Sequence, residues 1–405
     1  MRNTTRSALA LGIGLAVVLG GCAAGGGDSS DGGNELEILI GSSGDAETEA
    51  VQATADSWAA DNDATVTVVA ASDLTQQLSQ GFAGDDAPDL FYMSWDQFAT
   101  YASNGYLDPY AEELPNAGDF YQGLVDTYTY DGTFTCAPKD FSTLGLIINT
   151  DLWAAAGLTD ADIPTDWAGL EAAARTLTSA GTVGLSFGLE YARVGVFMNQ
   201  AGGQLVDGDT VTADSPENLE GLQFVQKLHD EGVLKFPSEL SAGWAGEALG
   251  AGKAAMVIEG PWIKGIQGDF PDTNYQAVEL PAGPGGKSTF TFSNCWGIPA
   301  NSDTRDAAVS LVEYLTSDEQ QLAFADAFGV IPSTQSAAAT YSENYPENAS
   351  FVAGSDYAVS PVNFAGSATV IGDFNAQLEG LVGGDAAAML AALQSNLQAA
   401  LDEAE

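Results

Sequence analysis

The chain is 405 residues long, with 45% hydrophobic residues and seven tryptophans, which exceeds the content of one typical core and predicts two domains. It carries 56 acidic and 11 basic residues, for a formal net charge of −45. This balance excludes nucleic acid and anionic membrane surfaces as partners, because both repel an acidic protein. It permits a cationic ligand, but the acidic residues are scattered along the chain, which favours a role in solubility.

The first 21 residues have the organisation of an export signal. Arg2 and Arg6 form a positive n-region, and residues 8–19 are an apolar stretch too short to span a bilayer. Residues 19–22 read Leu-Gly-Gly-Cys, which is similar to a bacterial lipobox, so we expect Cys22 to be the acylated N-terminus of the mature protein. The alternative is an ordinary cleaved signal with an incidental cysteine. Residues 22–34 predict a flexible tether, with the folded part outside the cell.

Strands alternate with helices over the first hundred residues. The pattern predicts strands at Leu36–Ile40, Thr65–Ala70 and Pro88–Met93, with helices at Ala46–Ala60 and Leu74–Phe82 between them. A Gly-rich turn follows the first strand. Such alternation is typical of α/β folds, and we expect a mostly parallel sheet flanked by helices.

The stretch Leu144–Ile148 is an uninterrupted apolar run, which predicts a strand buried on both faces. Asn149 supplies an N-cap for the helix that follows it. Lys139 and Asp140 come shortly before the strand, and polar groups at the mouth of a buried strand are where open α/β sheets bind ligands. The alternative is an ordinary structural βα unit.

The remainder of the chain repeats this alternation. Ser215 before Pro216 predicts a helix start, and Ser317 with Gln320 predicts a capping box. The further predicted elements are a strand at 254–258 and helices near 167–178, 216–231, 246–252, 304–315, 318–327 and 385–404.

The sequence offers little for catalysis. Its single histidine, His229, falls on a predicted helix and is expected at or near the surface, so neither a His-based triad nor a His-rich metal cluster can be built. The glycine-rich run at 283–287 lacks the spacing of a phosphate loop and predicts a loop tip. A pair of carboxylates, as a glycoside hydrolase requires, could be chosen anywhere among the 56 acidic residues and therefore gives no evidence for that activity. We therefore expect no enzymatic activity, no catalytic residue, no metal and no cofactor.

Aromatic and acidic residues together favour binding. Several tryptophans fall at or near predicted strand ends, where an indole can stack on the apolar face of a sugar while carboxylates and amides bind its hydroxyls. The alternative for each tryptophan is ordinary packing. The tryptophans are Trp95, Trp153, Trp244, Trp262 and Trp296, and the nearby polar residues are Asp96, Asp140, Glu259 and Asn294.

Two cysteines remain if Cys22 is acylated. In an oxidising compartment Cys136 and Cys295 are candidates for a disulfide that closes a loop of about 160 residues. The alternative is two free buried thiols.

Several stretches together resemble the extracellular solute-binding proteins of ABC transporters, specifically the sugar-binding group that includes maltose-binding protein. They occur in family order and span most of the chain after the export signal. The two cysteines are a departure, because many relatives have none. The matching stretches are Pro88–Tyr110, Lys139–Trp153, Gly252–Ile263, Trp296–Ser302 and Phe328–Ser333.

The resemblance implies a type II periplasmic-binding-protein-like α/β fold with two lobes joined by hinge strands. Lobe 1 would comprise residues 35–137 and 297–330, and lobe 2 residues 142–293 and 335–405. The chain would cross between the lobes near 136–141, 294–299 and 329–334. Cys136 and Cys295 would then lie on neighbouring hinge strands, which further favours their disulfide.

The resemblance also implies the function: a lipid-anchored monomer that captures a carbohydrate, with an oligosaccharide favoured, by hinge closure and delivers it to an ABC importer permease. Polyamine binding by the same fold, a secreted glycoside hydrolase and a structural lipoprotein are the alternatives. The candidate ligand-binding residues are Trp262, Trp296, Trp244, Trp95, Asp96, Asp140, Glu259, Asn294, Ser43 and Asp45.

Overall fold

The computed structural model describes residues 35–404. The predictions that concern the export signal, the acylation of Cys22 and the tether lie outside the described residues. No helix within residues 35–404 has both the length and the apolar character needed to cross a membrane.

The strands are numbered in chain order. They are β1 (Glu35–Ile40), β2 (Thr65–Ala70), β3 (Leu90–Ser94), β4 (Thr129–Tyr130), β5 (Thr133–Phe134), β6 (Ala137–Thr143), β7 (Gly145–Asn149), β8 (Val183–Ser186), β9 (Val206–Asp207), β10 (Thr210–Val211), β11 (Ala254–Glu259), β12 (Tyr275–Val278), β13 (Thr289–Gly297), β14 (Ile331–Pro332) and β15 (Ala358–Val359).

The α-helices are numbered in the same way. They are α1 (Asp45–Asp61), α2 (Leu74–Ala83), α3 (Trp95–Ser103), α4 (Gln122–Thr127), α5 (Thr150–Ala155), α6 (Trp167–Leu177), α7 (Tyr191–Gln200), α8 (Pro216–Asp230), α9 (Ala245–Gly250), α10 (Arg305–Leu315), α11 (Asp318–Phe328), α12 (Gln335–Asn344), α13 (Ala349–Gly354), α14 (Ser367–Leu378) and α15 (Ala386–Ala404). A 3₁₀ helix spans Pro261–Gly268.

Two principal sheets organise the described residues. The larger has the strand order β14-β6-β13-β3-β1-β2, with β15 paired to β13, and the smaller has the order β12-β7-β11-β8. The α/β class and the two-sheet architecture are as predicted. Both sheets are mixed, however, which corrects the expectation of mostly parallel strands. The long strands β6 and β13 run antiparallel to each other, and β13 also runs antiparallel to β3, whereas its pairing with β15 is parallel.

Each sheet has its own hydrophobic core. The large sheet packs around a cluster that includes Trp58, Tyr92 and Trp296. The small sheet packs around a second cluster that includes Trp153 and Trp167. The predicted strand around residues 144–148 is β7, which is buried along its whole length, as its apolar sequence indicates.

Of the three helix caps predicted from the sequence, two are present in the structure and one is not. The Asn149 side chain accepts a 3.0 Å hydrogen bond from the Leu152 amide, and the Ser215 hydroxyl caps α8, so these two predictions are confirmed. The prediction of a capping box at Ser317 is wrong. The Ser317 hydroxyl donates a 2.7 Å hydrogen bond to the carbonyl of Tyr314 in the preceding helix, so it does not cap α11.

The predicted disulfide is present between Cys136 and Cys295, whose Cα atoms are 5.6 Å apart. Cys136 directly precedes β6, and Cys295 lies on the adjacent β13 opposite Pro138. The disulfide therefore joins two segments of the predicted hinge. The third predicted crossing contains β14, which pairs with the other edge of β6. All three predicted crossings thus contain neighbouring strands of the large sheet.

Candidate functional site

A cavity of about 250 Å³ opens above the neighbouring strands β6 and β13. The loop after β1, the start of α3, the end of α11 and the 3₁₀ helix supply its other walls. Residues from widely separated parts of the chain therefore meet in one space. The lining residues are Gly41, Ser43, Glu47, Ser94, Trp95, Lys139, Asp140, Ser142, Trp262, Phe292, Ser293, Asn294, Phe328, Gly329 and Val330.

The floor of the cavity is a buried charge cluster. The Lys139 ammonium lies 3.0 Å from Glu47 Oε1 and forms an ion pair with Asp140. The Tyr92 hydroxyl donates to the same Glu47 oxygen at 3.0 Å, and Lys139 Nζ stands 4.5 Å from the centre of the Tyr92 ring. The three charged side chains are between 3% and 10% exposed, so the ions compensate one another instead of relying on water.

The environment shifts the three charged groups differently. Burial raises the pKa of Asp140, and the neighbouring Lys139 charge only partly offsets it. Burial also acts to raise the pKa of Glu47, but the Lys139 charge and hydrogen bonds from Ser43 outweigh it and leave that pKa lowered. For Lys139 burial opposes the charged form, yet the attraction of Asp140 and the other anionic partners keeps its pKa above the ordinary value.

One aromatic wall of the cavity is held in place by a salt bridge. Glu259 accepts a 2.9 Å hydrogen bond from the Trp262 indole nitrogen and pairs with Arg193 at 2.7 Å. The indole folds back over Gly260, where any Cβ would fall 2.3 Å from the ring. Phe292 completes the wall, edge-to-face with Trp262 at 6.1 Å between centroids. The ring is therefore held both by its sequence neighbour Glu259 and by the distant Phe292, which lowers the entropy cost of stacking on a ligand.

Half of the predicted binding residues line this cavity. They are Ser43, Trp95, Asp140, Trp262 and Asn294.

Trp296 and Trp244 are not part of the cavity wall. Trp296 is fully buried in the core of the large sheet, edge-to-face with Tyr92, so the prediction of a stacking surface there is wrong for this structure. The pairing of β13 with β6 is irregular between Asn294 and Cys295, so the regular alternation of faces that would group Trp296 with Asn294 is interrupted there. Trp244 directly precedes α9 without a capping hydrogen bond, its ring lies over Gly246, and it is not among the residues that line the cavity.

Three acidic residues that were predicted to contact the ligand, Glu259, Asp96 and Asp45, do not line the cavity. Glu259 lies behind the aromatic wall, where it accepts the hydrogen bond from the Trp262 indole. Asp96 accepts a hydrogen bond from Ser94 at 2.5 Å and faces an adjoining cavity beyond Trp95. Asp45 begins α1 and is exposed.

Sequence reasoning assigned no ligand contact to the other ten lining residues, among them Glu47, Phe292 and Phe328, and it noted Lys139 only as a polar group before a buried strand. A signal for Glu47 was available. Helical spacing places it on the same face of α1 as the buried Val51, Ala55 and Trp58, and an acid on an apolar stripe needs a partner. The partner, Lys139, lies 92 residues away, and no local pattern identifies it.

The sequence profile of the bacterial extracellular solute-binding proteins matches residues 53–353, about three quarters of the chain. The chain belongs to this family. The resemblance found from the motifs is thus confirmed at the level of the family.

Curated relatives are more distant. The chain is 27% identical over 262 residues to an uncharacterized lipoprotein of Streptomyces antibioticus, covering 59% of this chain and 56% of that protein. It is 23% identical over 280 residues to the diacetylchitobiose binding protein DasA of Streptomyces coelicolor, covering 65% and 64%. The matches therefore span less than two thirds of either relative.

Solved structures confirm the fold. An ABC substrate-binding protein from Listeria monocytogenes, in complex with cycloalternan, superposes with a TM-score of 0.80. The match covers 91% of this chain and 99% of that chain at 22% identity. This solute-binding protein therefore has the architecture of a known ABC substrate-binding protein.

Proposed function

We propose that this solute-binding protein captures a carbohydrate in the cavity above β6 and β13 and delivers it to an ABC importer permease. The observation that carries the proposal is the pairing of an aromatic wall, Trp262 and Phe292, with the charged floor around Asp140. A sugar presents apolar C–H faces to rings and hydroxyls to carboxylates, and this pairing complements both. The ligands named for two similar proteins, diacetylchitobiose and cycloalternan, are carbohydrates and support the same class.

The charged floor disfavours two alternative functions, polyamine binding and glycoside hydrolysis. A polyamine needs uncompensated carboxylates, but both floor carboxylates already contact the Lys139 ammonium. A glycoside hydrolase needs one carboxyl group as proton donor and a second acting on the opposite side of the scissile bond. Glu47 and Asp140 instead converge on the same Lys139 nitrogen. We therefore propose binding without turnover.

Capture would proceed by hinge closure. The proposed lobes are residues 35–137 with 297–330, and residues 142–293 with 335–405, as the family resemblance implies. The cavity floor lies on β6 and β13, where two of the proposed crossings occur, so a ligand there would contact both lobes and favour the closed form. A smaller radius of gyration in solution scattering after ligand addition is the expected result, and an unchanged radius contradicts closure.

We propose that the protein is exported and anchored by a lipid on Cys22. The similarity to a streptomycete lipoprotein supports this. The wild-type chain should sediment with membranes and partition into detergent, whereas Cys22→Ala should be released. Equal partitioning of the two proteins contradicts the anchor.

Calorimetric titration of the purified protein with glucose and N-acetylglucosamine oligosaccharides, and with spermidine and putrescine, tests the carbohydrate proposal. We expect saccharides to bind and to raise the stability by about 2.7 kcal/mol at a hundredfold excess over Kd. Trp262→Ala should weaken binding at least tenfold, whereas the matched control Trp244→Ala should not. Binding of polyamines alone, or equal losses in the two variants, would overturn the proposal.

A further inference from the structure

The cavity described above is the first of three that adjoin one another. Trp95 also lines a second cavity of about 200 Å³, and Pro361 of that cavity also lines a third of about 480 Å³. We infer that the three form one groove and that the ligand is an extended oligosaccharide reaching from Trp262 to the hairpin of β4 and β5. The inference rests on the proposed carbohydrate function and specifies the size of the ligand.

The second cavity continues the chemistry of the first. Packed aromatic rings run from Trp262 through Phe292 to Tyr191, with neighbouring centroids 5.2–6.5 Å apart, although the intervening ring of Phe290 is buried and lines none of the three cavities. Tyr191 lines the second cavity, together with apolar side chains of α14 and two polar side chains, Asp96 and Asn375. Asn375 uses its oxygen to accept the Tyr191 amide at 2.7 Å. This cavity therefore combines an apolar wall with polar groups, as a sugar requires.

The third cavity ends at an aromatic side chain on a rigid support. Tyr130 is 41% exposed and lies at the end of β4, before the hairpin turn Asp131-Gly132. Both turn residues have positive φ, 49° and 76°, as in a tight two-residue turn of type I′, which orients the two strands. An exposed ring on a rigid hairpin can stack on a sugar with little loss of entropy.

The third cavity also holds an unused acceptor. Asn363 donates from its amide nitrogen to the Thr127 carbonyl at 3.3 Å. Its oxygen Oδ1 is buried and accepts no hydrogen bond from residues 35–404. A buried acceptor without a partner is costly, and a sugar hydroxyl is a donor that would satisfy it. Asp126 and Phe364, which also line this cavity, supply a carboxylate and an apolar face.

The volumes agree with a ligand that spans more than one cavity. Small-molecule sites usually enclose about 300–1,000 Å³. The first and second cavities, at about 250 and 200 Å³, each fall short of this range, and all three together lie near its upper end. A single sugar unit would leave most of the groove and the Asn363 acceptor unused.

The test is to titrate the full protein calorimetrically with glucose and N-acetylglucosamine oligosaccharides of one to six units. We expect Kd to fall at least tenfold between the shortest and the longest member of the preferred series. Tyr130→Ala should reduce this ratio roughly threefold to tenfold, the range expected for one aromatic contact. Tyr106→Ala is the matched control, because Tyr106 is 40% exposed and lies outside the groove.

A second variant blocks the groove in its middle. Gly372 lines the second cavity on α14, and a Cβ there meets no atom within 4 Å, so Gly372→Phe fits the helix and fills the space. It should reduce the length dependence, whereas Gly372→Ala should retain it. If saccharides bind with an affinity independent of length, or if Tyr130→Ala weakens all lengths equally, the extended groove is refuted and the carbohydrate function stands. If no saccharide binds, both proposals fail.

Discussion

Replacement of Lys139 by methionine tests the charge cluster on the cavity floor. The substitution keeps the length of the side chain and removes the one cation between Glu47 and Asp140, whose side chains are 5% and 10% exposed. Removing one partner from a buried ion group leaves uncompensated charge and costs about 3–5 kcal/mol. We therefore expect Lys139→Met to lower the free energy of unfolding by that amount at neutral pH.

The loss should depend on pH with a definite sign. In the wild type the raised pKa of Lys139 contributes stability that is present below about pH 10.4 and is lost as the pH rises through its folded pKa. The lowered pKa of Glu47 contributes stability that is present above about pH 4.3 and is lost as the pH falls through its folded pKa. The raised pKa of Asp140 acts in the opposite direction, favouring the fold at acid pH.

Without Lys139 both carboxyl groups lose its attraction, so their folded pKa values rise relative to those of the wild type. The deficit of the variant is then greatest when both would be ionised, and it should shrink as the pH falls from about 8 to about 5. Urea denaturation at these two pH values measures it. The double variant Lys139→Met with Glu47→Gln should recover part of the loss, because it carries one uncompensated charge fewer.

Lys264→Met is the matched control, since Lys264 is an exposed lysine on the 3₁₀ helix. It should change the free energy of unfolding by no more than about 0.5 kcal/mol at either pH. The reasoning is refuted if Lys139→Met costs less than about 1 kcal/mol at pH 8, or if its cost is the same at both pH values.

Three further predictions follow from individual contacts. Replacing both residues of the Cys136–Cys295 disulfide with alanine should lower the free energy of unfolding by about 2–5 kcal/mol, because the bond closes a long loop; an unchanged urea midpoint under non-reducing conditions contradicts this. Asn149→Ala should cost about 1 kcal/mol and Ser317→Ala under about 0.5, since only Asn149 makes a cap bond; equal urea midpoints would refute it. Glu259→Gln keeps an acceptor for the Trp262 indole, so saccharides should bind it roughly threefold to tenfold more tightly than Glu259→Leu in calorimetry, and equal Kd values argue against this positioning role.

Several elements could be predicted from the sequence because their signals are local. β2 has the predicted bounds Thr65–Ala70, and β7 forms where an apolar run predicts a buried strand. The caps at Asn149 and Ser215 depend on side-chain groups within three residues of the amides they satisfy. Both partners of such a contact lie within a few residues of each other, so composition and spacing can indicate it.

Other expectations were wrong because the outcome depends on a competing hydrogen-bond acceptor or on strands that are distant in sequence. Ser317 has the sequence of a helix cap, yet its hydroxyl bonds to the end of the preceding helix. The alternation of strands and helices led us to expect mostly parallel sheets. This expectation failed because the hydrophobic pattern of a strand does not show its direction. The direction of β13 depends on how the chain returns through the large sheet beside β3 and β6.

The sequence by itself determined the family, the α/β class and the kind of side chain available for binding, because these follow from local composition and from motifs in order along the chain. The tertiary structure alone decided which side chains face the ligand cavity. Trp262 closely follows β11 and Trp296 lies near the end of β13, but one lines the cavity and the other is enclosed in a core. Glu47 and Lys139 meet only because helix α1 packs against the large sheet. Side-chain exposure depends on strand position and on packing between distant segments, and neither is encoded in any single stretch of sequence.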